Sequence, residues 1–406
     1  MPFFVPLKPN KMKQILTILL LTILTRSTLF GQTYLDSTVN SSTKRIFFAD
    51  PNKLSLGSYG EAHYNAPIEV GKFRNGTADL HRVILFMGYK FNNKLQFFTE
   101  IEFEHVKEVY VEQAFVDYSF NSAFNVKAGI ILIPMGYVNE FHEPTLFNGV
   151  ERPSVDKYII PTTWRELGIG FHGLIKQANL KYQVYAVNGF SGYDGGAKLS
   201  GSSGLRSARQ KGAQATLRTP AVTGKLTFFG LNGLRLGVSG YYGMTETNMY
   251  DGLDRDDMAA IQSADSSRVG VLMGSTNIQY NIKGFQIMAV GNYTKLSNID
   301  QYNEYTGSKV GKDLIGYYGE ISYKASLKKG GYPLLIPFVR YEQYNTHYRV
   351  DGGTTQNLAY DHEIITAGLG FQITPGTIIK TDYQWLKTAA NPKPTGLFNL
   401  GLGYWF

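Results

Sequence analysis

Leu95-Gln96-Phe97-Phe98-Thr99-Glu100-Ile101-Glu102-Phe103-Glu104 alternates without a break. Leu95, Phe97, Thr99, Ile101 and Phe103 fall on one face of an extended chain, and Gln96, Phe98, Glu100, Glu102 and Glu104 on the other. Successive side chains of a strand project to opposite sides, so the period is two. Three carboxylates on one face cannot sit in a dry core. That face needs water, and its reverse needs an apolar surrounding.

The same period recurs along the chain. Val83, Leu85, Met87 and Tyr89 alternate with Arg82, Ile84, Phe86 and Lys90. Sixteen segments read this way, roughly 54–64, 80–91, 94–105, 109–120, 124–134, 165–175, 179–190, 209–218, 233–244, 267–281, 284–296, 313–326, 333–346, 361–373, 376–388 and 396–406. Most have about the 9–11 residues that a tilted membrane strand needs. Short turns such as Asn92-Asn93, Asn121-Ser122, Lys283-Gly284 and Pro375-Gly376 alternate with longer polar stretches at 65–79, 135–164, 191–208, 245–266, 297–312, 347–360 and 389–395. Long loops at one end and tight turns at the other are the habit of a membrane barrel. Two connections break the pattern. His105 to Glu108 is short where a long loop is due, and Thr219 to Asn232 is long where a turn is due.

Composition agrees. Aromatic residues make up 14% and charged residues only 18% of 406 residues, with 44 glycines, against roughly 25% charged in soluble domains. This excludes a disordered chain. Zero cysteines exclude a disulfide scaffold. Past the N-terminus no apolar run approaches the roughly 18 residues of a transmembrane helix. The expected fold is all-β: an antiparallel transmembrane barrel of 16 strands over 54–406, closed because lipid leaves no partner for a bare sheet edge. A barrel of this girth encloses an aqueous lumen.

The N-terminus reads as an address. Lys8, Lys11 and Lys13 precede the apolar run Ile15 to Leu24, and Arg26, Ser27 and Thr28 follow it. This is the pattern of a secretory signal peptide, taken as residues 1–31. Residues 32–53 then form a periplasmic segment. Removing residues 1–31 takes away four bases and no acid, so the formal charge falls from +8 to +4. No dense basic stripe remains, and nucleic acid is not expected as a partner. The last strand carries Phe398, Leu400, Leu402, Tyr404 and Phe406 on one face. Tyr404 and the terminal Phe406 resemble the carboxyl-terminal signal that the bacterial barrel-assembly machinery reads, which places the chain in the outer membrane.

Gly201-Ser202-Ser203-Gly204 is linker-like rather than a nucleophile elbow. Gly307 to Lys312 has the wrong spacing for a phosphate loop, with Asp313 in place of the hydroxyl residue. The seven histidines show no zinc-ligand spacing, and His63 and His172 read as hydrated luminal residues. Asp251, Asp254, Asp256 and Asp257 read as a solvated acidic loop. No catalytic residue, metal or cofactor is expected, and the chain does not read as an enzyme.

Val111 to Glu140, VEQAFVDYSFNSAFNVKAGIILIPMGYVNE, resembles the phosphate-selective porin O/P family in Glu112-Gln113-Ala114-Phe115-Val116-Asp117-Tyr118, Lys127-Ala128-Gly129 and Pro134-Met135-Gly136. Glu151-Arg152-Pro153 and Ile160-Pro161-Thr162-Thr163-Trp164-Arg165-Glu166 look like related porins of the Bacteroidota. The resemblance implies a homotrimeric porin with a loop folded into the lumen. It does not carry the solute, because the clustered bases of phosphate-selecting members find no position-by-position match. The expectation is passive diffusion of small hydrophilic solutes, with anions such as phosphate as candidates. A non-conducting structural or adhesin barrel and an outer-membrane hydrolase are the competing readings.

The longest connection, about Met135 to Trp164, is the expected constriction. Phe141, Leu146, Phe147, Ile159 and Ile160 favour packing over exposure, and Glu140, Glu143, Glu151 and Asp156 outnumber Arg152 and Lys157. By parity Arg82, Glu100, Glu102, Glu104, Arg235, Arg340 and Lys380 point inward. With Glu140, Glu143, Arg152 and Arg165 they form the expected pore lining. A net-acidic loop facing Arg82, Arg235, Arg340 and Lys380 would set up a transverse field, with weak anion preference or none. The alternative keeps the loop outside, packed over its neighbours.

Overall fold

Period-two alternation closes on itself in the computed structural model, which describes residues 53–329 and 331–406. The expected signal peptide and residues 32–52 lie outside the described residues. The strands are β1 (Leu54–Ile68), β2 (Thr77–Lys90), β3 (Leu95–Glu104), β4 (Glu108–Asn121), β5 (Phe124–Leu132), β6 (Arg165–Ile175), β7 (Leu180–Val187), β8 (Ser191–Tyr193), β9 (Ala221–Leu231), β10 (Leu234–Met244), β11 (Glu246–Thr247), β12 (Gly270–Ile282), β13 (Phe285–Ser297), β14 (Asp313–Tyr323), β15 (Ala325–Lys328), β16 (Gly331–Arg349), β17 (Asp361–Thr374), β18 (Thr377–Thr388) and β19 (Asn391–Trp405). Three short helices, α1 (Val155–Tyr158), α2 (Met258–Ser266) and α3 (Ile299–Thr306), lie in the long connections. β8 and β11 form a separate parallel pair, and β15 continues β14 along the same neighbour, β16. What remains is a ring of 16 antiparallel staves, closed where β1 pairs with β19 from Tyr59↔Trp405 to Ile68↔Gly396.

The register carries the alternation around the ring. Phe86 pairs with Glu100 and Ile84 with Glu102. Glu100 and Glu102 are buried at 1% and 4% exposure, while Ile101 and Phe103 between and beside them are 37% exposed. Leu167, Ile169 and Phe171 on β6, and Val238 and Tyr242 on β10, stand exposed in the same outward way. At the short-turn end aromatic rings gather into a belt. Phe120 touches Phe124 and Phe124 touches Phe171, at centroid distances of 5.4 and 5.3 Å, and Phe285 touches Tyr323 at 4.7 Å. Such a girdle marks the interface between hydrocarbon and water. Among the described residues no helix is long and apolar enough to cross a membrane.

Two expectations of position are corrected. The eighth stave is β9 at 221–231, and 209–218 lies in the connection before it. The long turn expected at 219–232 is therefore a strand followed by the tight Asn232-Gly233 turn. The Asn-Gly pair is a strong hairpin signal that places β9 directly. The 389–395 loop is also shorter: β18 and β19 are joined by Ala389 and Ala390 alone. The short His105–Lys107 connection between β3 and β4 stands as read.

Candidate functional site

Two glycines within the family-like stretch launch the long segment between β5 and β6. Gly129 in β5 has φ +133°, and a Cβ there would lie 2.2 Å from the Ala114 carbonyl oxygen of β4. Gly136 has φ +67°, and its Cβ would meet Ile160 Cδ1 at 2.4 Å. Only glycine takes such angles without strain, and the chain leaves the wall between the two, after Leu132. Asn139 joins the two ends of the segment. Its Nδ2 donates to the carbonyls of Ile133 and Trp164 at 2.7 and 2.9 Å, and its Oδ1 accepts from Trp164 N at 2.7 Å.

The segment crosses the barrel interior, because its partners come from staves all around the ring. Near its start, Lys225 of β9 donates to Glu140 Oε2 at 2.7 Å and to the Gly136 carbonyl at 2.5 Å, and Gln183 of β7 donates to Glu140 Oε1 at 2.8 Å. Midway, Arg82 of β2 donates to the His142 carbonyl at 2.5 Å and to Glu61 of β1 at 2.7 Å. Farther on, Lys380 of β18 donates to the Phe147 and Gly149 carbonyls, both at 2.9 Å, and Asp382 accepts from Val150 N at 2.7 Å. Arg340 of β16 reaches the Asn148 and Glu151 carbonyls at 3.2 and 3.4 Å, and Glu342 accepts from Ser154 N at 2.6 Å. Phe141, Phe147, Ile159 and Ile160 are buried with it.

The luminal charges are satisfied differently from the sequence expectation. They were expected to need water. Instead Arg82, Arg340 and Lys380, all at most 4% exposed, are met by loop carbonyls and by acids of the wall itself. Arg340 pairs with Glu320 and Glu342 at 3.3 and 2.8 Å. The loop acids therefore do not face the arginines as a separate sheet of charge. Glu140 pairs with Lys225, while Glu151 lies 3.2 Å from His63 and accepts from Asn65 at 3.0 Å. Physically, a loop this close to the wall offers its main-chain oxygens first.

The other expected residues are distributed as follows. Glu100 and Glu102 are buried beside Arg82 and His142, and Glu143 is buried in the segment itself. Arg152 is half-buried. Arg165 is buried, with its guanidinium 5.6 Å from the Tyr110 ring. Arg235 lies 5.2 Å from the Phe141 ring. Glu104 stands half-exposed at the rim. Tyr404 faces outward beside Phe406, whose main chain pairs with Ser58 of β1. Sequence reading missed Lys225, because its strand was placed elsewhere, and Asn139, because no spacing rule marks a side chain that bridges two carbonyls.

A second connection, 188–220, packs on the first. Arg206 donates to the Thr162 carbonyl at 2.6 Å, and Arg209 to those of Pro161 and Thr163 at 3.0 and 2.7 Å. Burial lowers the Arg209 guanidinium to about 9. In α1, burial pushes the Asp156 carboxyl up to about 7. For Glu151 burial works upward, but the hydrogen bonds from His63 and Asn65 outweigh it and hold the group down at about 2.

No family model matches the chain. Among solved structures the barrel is similar to the outer membrane channel DcaP of Acinetobacter baumannii, with a TM-score of 0.57, 11% identity, and coverage of 87% of this chain and 97% of that one. It is similar to an anion-selective porin from Comamonas acidovorans (TM-score 0.55, 12% identity, 87% and 99% covered) and to OmpF of Salmonella typhi (TM-score 0.54, 12% identity, 87% and 98% covered). At these identities the shared property is the fold, which is that of porins. An "Uncharacterized protein" of Aquifex aeolicus (strain VF5) is 31% identical over 349 residues, covering 81% of this chain and 75% of its own length, and the chain belongs to the family of that protein.

Proposed function

We propose that this chain is an outer-membrane channel for passive diffusion of small hydrophilic solutes, with a weak preference for anions. The observation that carries the reading is a polar row on the inner wall, on the staves between Lys225 of β9 and Arg340 of β16. Ser239 of β10, Ser275 of β12 and Asn292 of β13 stand in direct register on adjacent staves. Their side chains, with Asn277, Thr294 and Ser322 nearby, include polar atoms with no protein partner. Buried polar groups are met by something, and where protein does not meet them water does. These groups support an aqueous path along β10–β13, bounded on its other side by the 133–164 segment.

Lys181, Lys225 and Arg235 surround a narrow cavity between that segment and the wall, with Glu140 as its one acid. That balance favours an anion over a cation. Phosphate is one candidate anion, and the resemblance of residues 111–166 does not by itself name the solute. Export by residues 1–31, assembly through Tyr404 and Phe406, and a homotrimer in the bilayer complete the proposal. Planar-bilayer recording of the refolded protein tests it. Stepwise conductance with anion-biased reversal potential is expected, and a stable barrel with no channels at any voltage sinks the reading. Adding phosphate, sugars or peptides during recording addresses the solute.

A further inference from the structure

We propose that Asp79, His81 and His105 form a binding site for a divalent transition-metal ion, of the zinc class, at the long-connection rim of the barrel. The proposal is independent of whether the lumen conducts.

Three departures from regular structure bring these residues together. First, the β1–β2 register slips: Glu61 pairs with Arg82, but His63 pairs with Asp79. β2 therefore carries one extra residue, and a bulge of this kind re-aims side chains. His81 turns to stack on the luminal His63, with ring centroids 4.7 Å apart and planes 12° apart. Second, the β3–β4 connection is a tight turn where, β18–β19 apart, the other connections at that end are long. Third, its backbone is strained. His105 and Val106 have φ of +52° and +67°, angles uncommon for any residue with a Cβ and rarer still for a β-branched one. The turn is tied to β2 by His105 N donating to the His81 carbonyl at 3.1 Å.

The resulting geometry suits a metal. His105 Nδ1 lies 2.6 Å and His81 Nδ1 3.5 Å from Asp79 Oδ2, and the three candidate ligand atoms all lie within 4.8 Å of one another. An ion about 2.0–2.2 Å from each ligand needs only small rotations of side chains that are partly solvent-exposed. Behind His105, Glu104 Oε1 lies 3.9 Å from Nε2. That is an ion-pair distance rather than a hydrogen bond, and a small side-chain rotation brings the carboxylate onto the far nitrogen, where it orients a metal-bound imidazole. Two imidazoles and one carboxylate favour Zn²⁺ and its neighbours in the series over Ca²⁺ and Mg²⁺, which take oxygen ligands. Among the described residues the other convergence of acids and imidazole, Glu100, Glu112 and His142, is buried beside Arg82 and Arg165. Those guanidinium charges already balance it.

The test is isothermal titration of ZnCl₂ into the untagged protein refolded in detergent, with CaCl₂ as the comparison. One Zn²⁺ site and no Ca²⁺ heat are expected. The double change His81→Ala with His105→Ala should abolish the site, and Glu104→Gln should weaken it about tenfold. Asp79→Asn is the second variant, should the double one not fold. Electron paramagnetic resonance with Cu²⁺ should show two imidazole nitrogens, falling to one in His105→Ala. Absence of Zn²⁺ binding to the folded wild type, or binding unchanged in the double variant, overturns the proposal.

Discussion

Asn139 holds Trp164 by both sides of its amide: Oδ1 accepts from Trp164 N at 2.7 Å and Nδ2 donates to the Trp164 carbonyl at 2.9 Å. The two ends of the luminal segment are thereby closed into a neck, and Ile133 N adds a bond to the Trp164 carbonyl at 3.0 Å. Asn139→Ala leaves these buried peptide groups short of partners, at about 1–3 kcal/mol each. The barrel staves are untouched, so the variant should still show heat-modifiable migration. In bilayers it should give a larger and noisier conductance. Conductance identical to wild type would show that the neck does not position the segment.

Arg82 of β2 and Arg340 of β16 hold the middle of the segment against staves five apart in the ring. Replacing both by Glu sets new acids beside Glu61, Glu320 and Glu342, and a buried pair broken from one side costs about 3–5 kcal/mol. We expect the segment to detach and conductance to rise. Deleting residues 141–158 should raise conductance further in a barrel that still folds. Neither change having an effect would place the segment outside the conducting path.

The proposed anion preference rests on Lys225 and Arg235. Lys225→Glu puts an acid beside Glu140 in place of their 2.7 Å contact. Under a salt gradient the reversal potential should move from weakly anion-selective toward cation-selective, with Arg235→Glu moving it the same way. An unmoved potential in the double variant would falsify an anion preference set by the cavity that Lys225 and Arg235 line.

Asp156 supplies a pH dependence. Its carboxyl, pushed up by burial to about 7, prefers the protonated form in the folded segment. A raised carboxyl pKa means that the folded state holds its proton longer than the unfolded chain. The contribution is fully present below the ordinary Asp value of about 4 and is lost as pH rises toward 7. Calorimetry should show the wild-type transition falling between about pH 4 and 7 by more than that of Asp156→Asn. Parallel curves for the two proteins would count against the assignment.

Phe406 completes the closing pair. Its N donates to the Ser58 carbonyl at 2.9 Å, and its carbonyl accepts from Ser58 N at 3.0 Å. Deleting it removes both bonds and the outward aromatic ring. The fraction of chain recovered as folded barrel from membranes should fall several-fold, while detergent refolding should be affected less. Equal loss in both settings would point to stability rather than to assembly.

Much of this architecture is legible in Leu95 to Glu104 and its repeats. Period-two alternation is a local property, because neighbouring side chains of a strand must part to opposite faces. The wall, its outward apolar face and the inward direction of Arg82, Glu100, Arg340 and Lys380 therefore follow from the order of residues. One stave escaped because 209–218 mimics alternation while β9 declares itself through Asn232-Gly233. With it went Lys225, the cation that holds Glu140.

Only the tertiary structure decided what those inward charges meet. Arg340 and Asn148 are 192 positions apart, Lys380 and Gly149 231 apart. No local period couples such residues, and the choice between water and a loop carbonyl depends on where a 30-residue connection falls inside a closed ring. The convergence of Asp79, His81 and His105 is of the same kind. A bulge in β2 and two left-handed residues in the β3–β4 turn make it, and both are set by strand register around the barrel rather than by the spacing of histidines along the chain.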